Sequence, residues 1–174
     1  MSFNLSQRTR VPNGMNFPGN VEIWCHFNVK VDHANGNFII TDPSGDQTTV
    51  ALAAGLTQDL TLCALPANGY VAGVRVKSVV AVTGVTTATL KLGITGTDNL
   101  FLSSAYDLAA AVSATNFAPV TTAGNTIGNN SVAATNLVAL VTTTVDNITA
   151  MTAGEFDIWF KVGVLSATEG NTHG

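Results

Sequence analysis

Residues Val21–Asp32 read VEIWCHFNVKVD, with an apolar residue at every second position. A period of two is that of a β-strand, because successive side chains of a strand point to opposite faces of the sheet. The stretch therefore predicts a long strand with one buried face. It places Trp24 and His26 on the other, outward face.

Two turn signals follow this strand directly. Asn35-Gly36 supplies the positive φ angles of a tight hairpin, and Asp42–Asp46, DPSGD, combines Pro and Gly as β-turns do. We therefore expect two successive turns, continued by short strands within Thr48–Ala53 and Gln58–Leu65.

Four further segments are predicted to be strands. They are Tyr70–Thr83, Thr89–Ile94, Asn136–Thr144 and Glu155–Leu165. Within the first, four valines are expected on one face, namely Val74, Val76, Val80 and Val82. The short connection Gly84–Thr87 predicts that the first two segments pair with each other as an antiparallel hairpin.

One helix is predicted, over Ser103–Val112, where a run of alanines follows two serines suited to an N-cap. Asn116–Ser131 is rich in Thr, Gly and Asn and predicts a long loop. Repeated short strands with almost no helix describe an all-β protein, since each half-buried strand must cover its apolar face with a second sheet. We expect an antiparallel, jelly-roll-like β-sandwich with at most one short helix.

The chain is expected to form one domain with two extensions. Residues 1–20 contain prolines and glycines without sustained periodicity, which predicts an extended N-terminal arm. The β-sandwich is placed at residues 21–166, and residues 167–174 are expected to form a flexible C-terminal tail. A length of 174 residues suits a single sandwich.

Charge is scarce in this chain. Charged residues make up 10% of it, against roughly 25% in an ordinary soluble domain, so the composition favours a protein packed into an assembly. A net charge of −4 argues against nucleic-acid binding, which needs a basic face. We recognise neither a secretory signal nor an apolar run that would span a bilayer, so we expect no membrane partner and synthesis in a cytoplasm.

Candidate chemical groups are few and scattered. They suggest no nucleophile, base or carboxylate pair that converges in a pocket, so we expect a non-enzymatic protein without a cofactor or a metal. Cys25 and Cys63 are expected to be free, buried thiols, because a reducing cytoplasm and their apolar neighbours disfavour a disulfide. Their spacing fits no paired zinc-ligand motif. Asp42 and Asp46 either bind calcium or hold their own turn, and the turn is the preferred interpretation.

Four residues are candidates for partner contacts. Trp24 and Trp159 both fall on outward faces, where an indole serves as a platform for sugar, as a subunit contact or as a surface covered by the arm. Arg8 and Arg10 lie in the arm, where guanidinium groups either bind carboxylates of another protein or remain solvated.

Three segments carry a family resemblance: Gly73–Lys77, Val82–Ile94 and Thr152–Phe160. In them the chain resembles the jelly-roll cement, or decoration, proteins on the capsids of tailed bacteriophages. The resemblance implies a structural virion protein that is made in the bacterial cytoplasm and forms a homotrimer or similar oligomer at capsid symmetry axes. It also implies that the N-terminal arm or a sheet edge grips the major capsid protein and stabilises the head shell.

A second function remains open from the residues. The chain could be a carbohydrate- or receptor-binding β-sandwich module of a phage fibre or tail. Trp24, Trp159 and Tyr70 would then be the platforms on which a glycan stacks.

Overall fold

The computed structural model describes residues 22–65, 69–97, 100–102, 105–110 and 134–164, together with the backbone of 114–117. These residues form ten strands and two single-turn 3-10 helices, the latter at His33–Asn35 and Ile148–Ala150. The strands are β1 (Glu22–Asp32), β2 (Asn37–Thr41), β3 (Gln47–Ala51), β4 (Thr57–Leu65), β5 (Gly69–Thr83), β6 (Thr89–Ile94), β7 (Tyr106–Asp107), β8 (Ala114–Phe117), β9 (Thr135–Thr142) and β10 (Ala153–Val164).

The strands form two antiparallel sheets. The larger sheet has the order β3-β2-β1-β10-β5-β8, and the smaller has the order β4-β9-β6-β7. Four of the pairings are nested along the chain, since β1 pairs with β10, β4 with β9, β5 with β8 and β6 with β7. A long ribbon of nested pairs that is rolled into two sheets is a jelly roll, as the sequence predicts. The hairpin of β2 and β3 widens the larger sheet at its β1 side.

The core lies between the two sheets. The long strand β1 contributes alternate side chains to it, from Cys25 to Val31, as the period of two requires. The largest side chains with almost no exposed surface include four phenylalanines of the larger sheet, Phe27, Phe38, Phe156 and Phe160. Phe160 of β10 makes edge-to-face contacts with Phe27 and with Phe101, at ring-centre distances of 6.4 and 5.9 Å. Such contacts add to the stabilisation from buried area.

The predicted hairpin of β5 and β6 is wrong. The two strands belong to different sheets, so the connection Gly84–Thr87 carries the chain across the sandwich. Gly84 begins this crossing with a φ of +89°, and Thr152 donates its backbone N–H to the carbonyl of Thr83 at 2.9 Å. The short length of this connection therefore determines neither the strand with which β5 pairs nor the sheet to which β6 belongs.

The predicted helix over Ser103–Val112 is also wrong in its described part, residues 105–110. Tyr106 and Leu108 are buried on either side of exposed Asp107, which is the spacing of a strand. Backbone bonds between Leu108 and both Ala88 and Val82 tie the segment to its neighbours, at 2.8 Å each. Asp107 Oδ1 accepts the backbone N–H groups of Ala109 and Ala110, a local turn that competes with a helix.

One of the four valines predicted on the same face of β5 is exposed. Val74, Val76 and Ser78 alternate on the buried side, but Val80, the next position of that row, is exposed. The pairing of β5 with β10 shifts register around Glu155, which lies opposite Val80. Such bulges reverse the direction of the side chains, so strict alternation fails here.

The loop predicted over 116–131 lies outside the described residues, except for Asn116 and Phe117, which end β8.

The crossing at Gly84 predicts a stability difference among three glycine variants. A Cβ at Gly84 would lie 2.2 Å from the Ala150 carbonyl oxygen, and at +89° the backbone favours glycine. We expect Gly84→Ala to lower the free energy of unfolding by about 2–3 kcal/mol. Gly96→Ala, with a φ of +85° but open space, should cost about 1 kcal/mol. Gly55→Ala, in open space, should change it by less than about 0.5 kcal/mol. Urea unfolding measures the free energy of unfolding of all three variants. Equal losses would contradict the close backbone contact described at Gly84.

Both cysteines are buried, as expected, Cys25 on β1 and Cys63 on β4. Burial raises the pKa of the Cys63 thiol to about 12, and the nearby Cys25 and Asp42 add to the shift. The thiol is therefore protonated throughout the neutral range. Its nucleophilic thiolate form is suppressed in the folded protein.

The pKa of Cys63 predicts a loss of stability in alkali. The unfolded chain releases this proton near pH 9, whereas the folded chain holds it to about pH 12. Between these values the unfolded state binds fewer protons, so the free energy of unfolding falls as pH rises. We expect the free energy of unfolding, measured with urea, to fall more steeply over this pH range in the wild type than in Cys63→Ala. Parallel curves for the two proteins would contradict the assignment.

Candidate functional site

The outer face of the larger sheet carries the residues that could meet a partner. We define the tryptophan face as the outward surface of β1, β10 and β5 formed by Trp24, His26, Gly73, Arg75, Trp159 and Lys161. The strand register sets these residues in two rows. His26, Trp159 and Arg75 lie in one row, and Trp24, Lys161 and Gly73 lie in the next.

Trp159 is held between its two cross-strand neighbours. The His26 ring stacks on the indole at 4.7 Å with an interplanar angle of 13°. From β5, the Arg75 guanidinium lies 5.1 Å from the ring centre. A cation over an indole contributes about 0.5–1 kcal/mol at an exposed site. Trp159 is half-buried as a result, and its main contacts are within the protein.

Carboxylates beside this row orient the polar side chains. Asp157 Oδ1 lies 2.9 Å from His26 Nε2 and accepts a hydrogen bond of 2.9 Å from Asn28 Nδ2. The same amide donates to Glu155 Oε1 at 3.0 Å. These bonds fix the plane of the His26 ring against Trp159.

Trp24 is the most exposed Trp, Tyr or Phe side chain among the described residues, with 55% of its surface accessible. Its Cη2 atom lies 3.7 Å from where a Cβ on Gly73 would be, so the indole reaches across β10 towards β5. Lys161, its cross-strand partner, forms an ion pair with Glu22. The hydrogen bond and the charge of Lys161 lower the pKa of the Glu22 carboxyl, and the Tyr70 hydroxyl, at 3.2 Å, adds to this.

The tryptophan face offers contact surface rather than reactive groups. Within the described residues, no three His, Cys, Asp or Glu side chains are grouped to hold a metal ion. The carboxylate of Asp42 stabilises its own turn, as the preferred interpretation of Asp42 and Asp46 predicts. Its Oδ1 atom accepts hydrogen bonds from the backbone N–H groups of Ser44 and Asp46, at 2.8 and 3.0 Å. Across the same ranges, no helix has the length and apolar character to cross a membrane.

The outward positions of Trp24 and Trp159 are confirmed, and the two rings are diagonal neighbours on adjacent strands. Tyr70 as a sugar platform is wrong, because only 6% of its surface is exposed. Arg8 and Arg10 lie outside the described residues. Two members of the face were missed, Gly73 and Arg75. Their outward direction is readable from the alternation of β5, but their nearness to tryptophan depends on the pairing of distant strands.

The fold has a counterpart among solved structures. A chain in the structure described as the cyanophage Pam1 capsid asymmetric unit superposes with a TM-score of 0.52 and 17% sequence identity. The match covers 95% of this chain and 100% of that chain. This similarity is one of fold. No protein-family model matches the sequence, and no curated protein matches it.

The two tryptophans should differ in their effect on stability. Trp159→Ala removes both the stack with His26 and the contact with Arg75, so we expect the free energy of unfolding to fall by about 1–2 kcal/mol. Trp24→Ala removes a ring that is largely in solvent, and should cost less than about 1 kcal/mol. Urea unfolding followed by circular dichroism tests this, and the reverse order would contradict the geometry.

Proposed function

We propose that this protein is a structural component of a virion. The observation that carries the proposal is its jelly-roll sandwich, which matches a chain of a phage capsid asymmetric unit along nearly its whole length. The low charged fraction of 10% supports it, because a surface with little charge suits permanent burial in a lattice of neighbours.

Its role in the virion is that of a cement, or decoration, protein. It binds the major capsid protein on the outside of the head and braces the shell, and a trimer at symmetry axes presents several identical contacts at once. Many weak contacts repeated by symmetry give firm attachment without any single strong site. Such a role requires no catalysis.

The residues best suited to this attachment are Trp24 on the tryptophan face and Arg8 and Arg10 in the arm of residues 1–20. Trp24 offers a broad ring that loses little conformational freedom on binding, which is why tryptophans concentrate binding energy in interfaces. β1 begins at Glu22, two residues before Trp24, so the arm of residues 1–20 is close to Trp24 in the sequence, and this closeness supports contacts of both with one partner. Trp159 supports the face from within it.

Binding of a glycan is the second candidate, and the exposed ring of Trp24 favours it. A single accessible indole stacks on a sugar ring as readily as on a protein side chain. The burial of Tyr70 and the internal contacts of Trp159 leave that indole without a second aromatic platform among the described residues.

Shell binding tests the proposal directly. We expect the purified chain to bind shells assembled from the major capsid protein of the same virus and to raise the temperature at which they open. Trp24→Ala should weaken binding about tenfold or more, equivalent to at least ~1.4 kcal/mol. Val145→Ala is the matched control, because Val145 is an exposed apolar residue, with 71% of its surface accessible, and lies outside the tryptophan face. It should bind as the wild type does.

Two outcomes would contradict this assignment. Shells that neither bind the wild type nor gain heat resistance from it would remove the cement role. If the wild type binds glycans on an array, Trp24→Ala loses this binding and the wild type does not bind shells, the tryptophan face is a sugar-binding surface instead. A chain lacking residues 1–20 separates the contribution of the arm, since it retains Trp24.

A further inference from the structure

β3 forms one edge of the larger sheet. In the part of the chain that the structure describes, β3 pairs with β2 on one side, and no strand pairs with the other. An open edge presents a row of backbone N–H and C=O groups, and proteins usually protect such edges with charge, proline, a bulge or short length.

The five residues of β3 contain none of the first three protections. Its sequence, QTTVA, contains no charged residue and no proline. Its pairing with β2 runs without a register shift over all five residues. Three of these residues, Thr48, Thr49 and Val50, are β-branched types that favour extended backbone.

The other edges of the described sandwich differ from it. β4, at one edge of the smaller sheet, carries exposed Asp59 and a register shift between Thr61 and Cys63. β7 is two residues long and β8 is four. β3 is therefore the edge best suited to receive a strand.

The hydrogen-bond pattern shows which groups point outwards. Asp42 donates its N–H to the carbonyl of Asp46, and Leu52 donates to that of Gly36, at 2.9 Å each. Bonded pairs alternate along an antiparallel ladder, so Thr48 and Val50 direct their backbone groups to β2. Gln47, Thr49 and Ala51 consequently direct theirs to the open edge.

Gln58 fixes the end of this edge. Its side-chain amide donates to the Ala51 carbonyl at 2.7 Å and accepts the Ala53 N–H at 2.9 Å. The strand thus ends in a defined geometry, and the Ala51 N–H and the Thr49 groups remain directed outwards.

We propose that β3 pairs antiparallel with β3 of a second copy of this chain about a two-fold axis, joining the two larger sheets into one. Centred on Thr49, this register sets Thr49 opposite itself and Gln47 opposite Ala51. The Thr49 backbone groups then pair across the axis and the Ala51 N–H donates to the Gln47 carbonyl of the second copy, whereas the Ala51 carbonyl already accepts a hydrogen bond from Gln58. Self-pairing across a two-fold axis sets this segment against a second copy of itself, so a charge near the axis would lie close to a like charge, and β3 has none. The cross-strand pairs of Thr and Val add favourable contacts. This contact does not depend on the proposed function.

Thr49→Pro tests the pairing with little effect on the fold. It removes an outward N–H and spares the bonds to β2, and proline is tolerated where an edge N–H faces solvent. At millimolar concentration we expect light scattering to give Thr49→Pro about half the mass of the wild type, because a two-fold contact joins copies in pairs. Thr49→Val retains the N–H and is the control that should keep the wild-type mass. Equal masses for the wild type and Thr49→Pro would overturn the proposal.

A charge exchange at the same position tests the register. Thr49→Lys and Thr49→Glu each set like charges against each other at the axis, so either variant alone should show about half the wild-type mass. An equal mixture of the two should regain it, since opposite charges then meet. A mixture whose mass remains about half that of the wild type would overturn the register centred on Thr49.

Hydrogen exchange provides a readout at the backbone. The amides of Gln47, Thr49 and Ala51 should become protected as the wild-type concentration rises, and those of Thr48 and Val50 should be protected throughout. Protection of the first set that does not change with concentration would mean that the edge is covered within one chain, and would overturn the proposal. Loss of shell binding by Thr49→Pro at unchanged mass would assign the edge to the capsid instead.

Discussion

The pairing of β10 between β1 and β5 is the constraint on which the rest of the structure depends. One side of β10 supplies Phe156, Ile158 and Phe160 to the core, and the other supplies Asp157, Trp159 and Lys161 to the outer face. The same register therefore sets both the packing and the tryptophan face. Because β1 and β10 lie at opposite ends of the chain, neither the core nor the face is complete until almost the whole chain is present.

Much of the fold can be read from strict alternation, and its failures have physical causes. The strand Glu22–Asp32 and its outward Trp24 follow from side-chain direction alone, which is a local property. The partner of β5 does not, because Gly84–Thr87 is short enough for a hairpin and also spans the sandwich. Val80 departs from its strand at a bulge, which depends on the pairing with β10. For the same reason, the meeting of Arg75 with Trp159 could not be predicted from either segment alone.

Charge on the outer face is largely satisfied within the protein. Lys161 is paired with Glu22, and Asp157 is engaged by His26 and Asn28. The Trp24 indole thus lies among groups that already have partners, so a contact formed there gains mainly from excluding water and from shape. Contacts of this kind are less sensitive to salt than those guided by charge, and their association is slower because electrostatic steering is absent.

The positions of the two ends of the sandwich have a mechanical consequence. Glu22, where β1 begins, is the cross-strand partner of Gly163, next to the end of β10 at Val164. A force that pulled these two ends apart would break the pairs between β1 and β10 one after another, starting at the rim, and would never load them all together. The molecule resists such unzipping poorly. In the proposed cement role, the sandwich would brace a shell only if the load entered through its faces and edges.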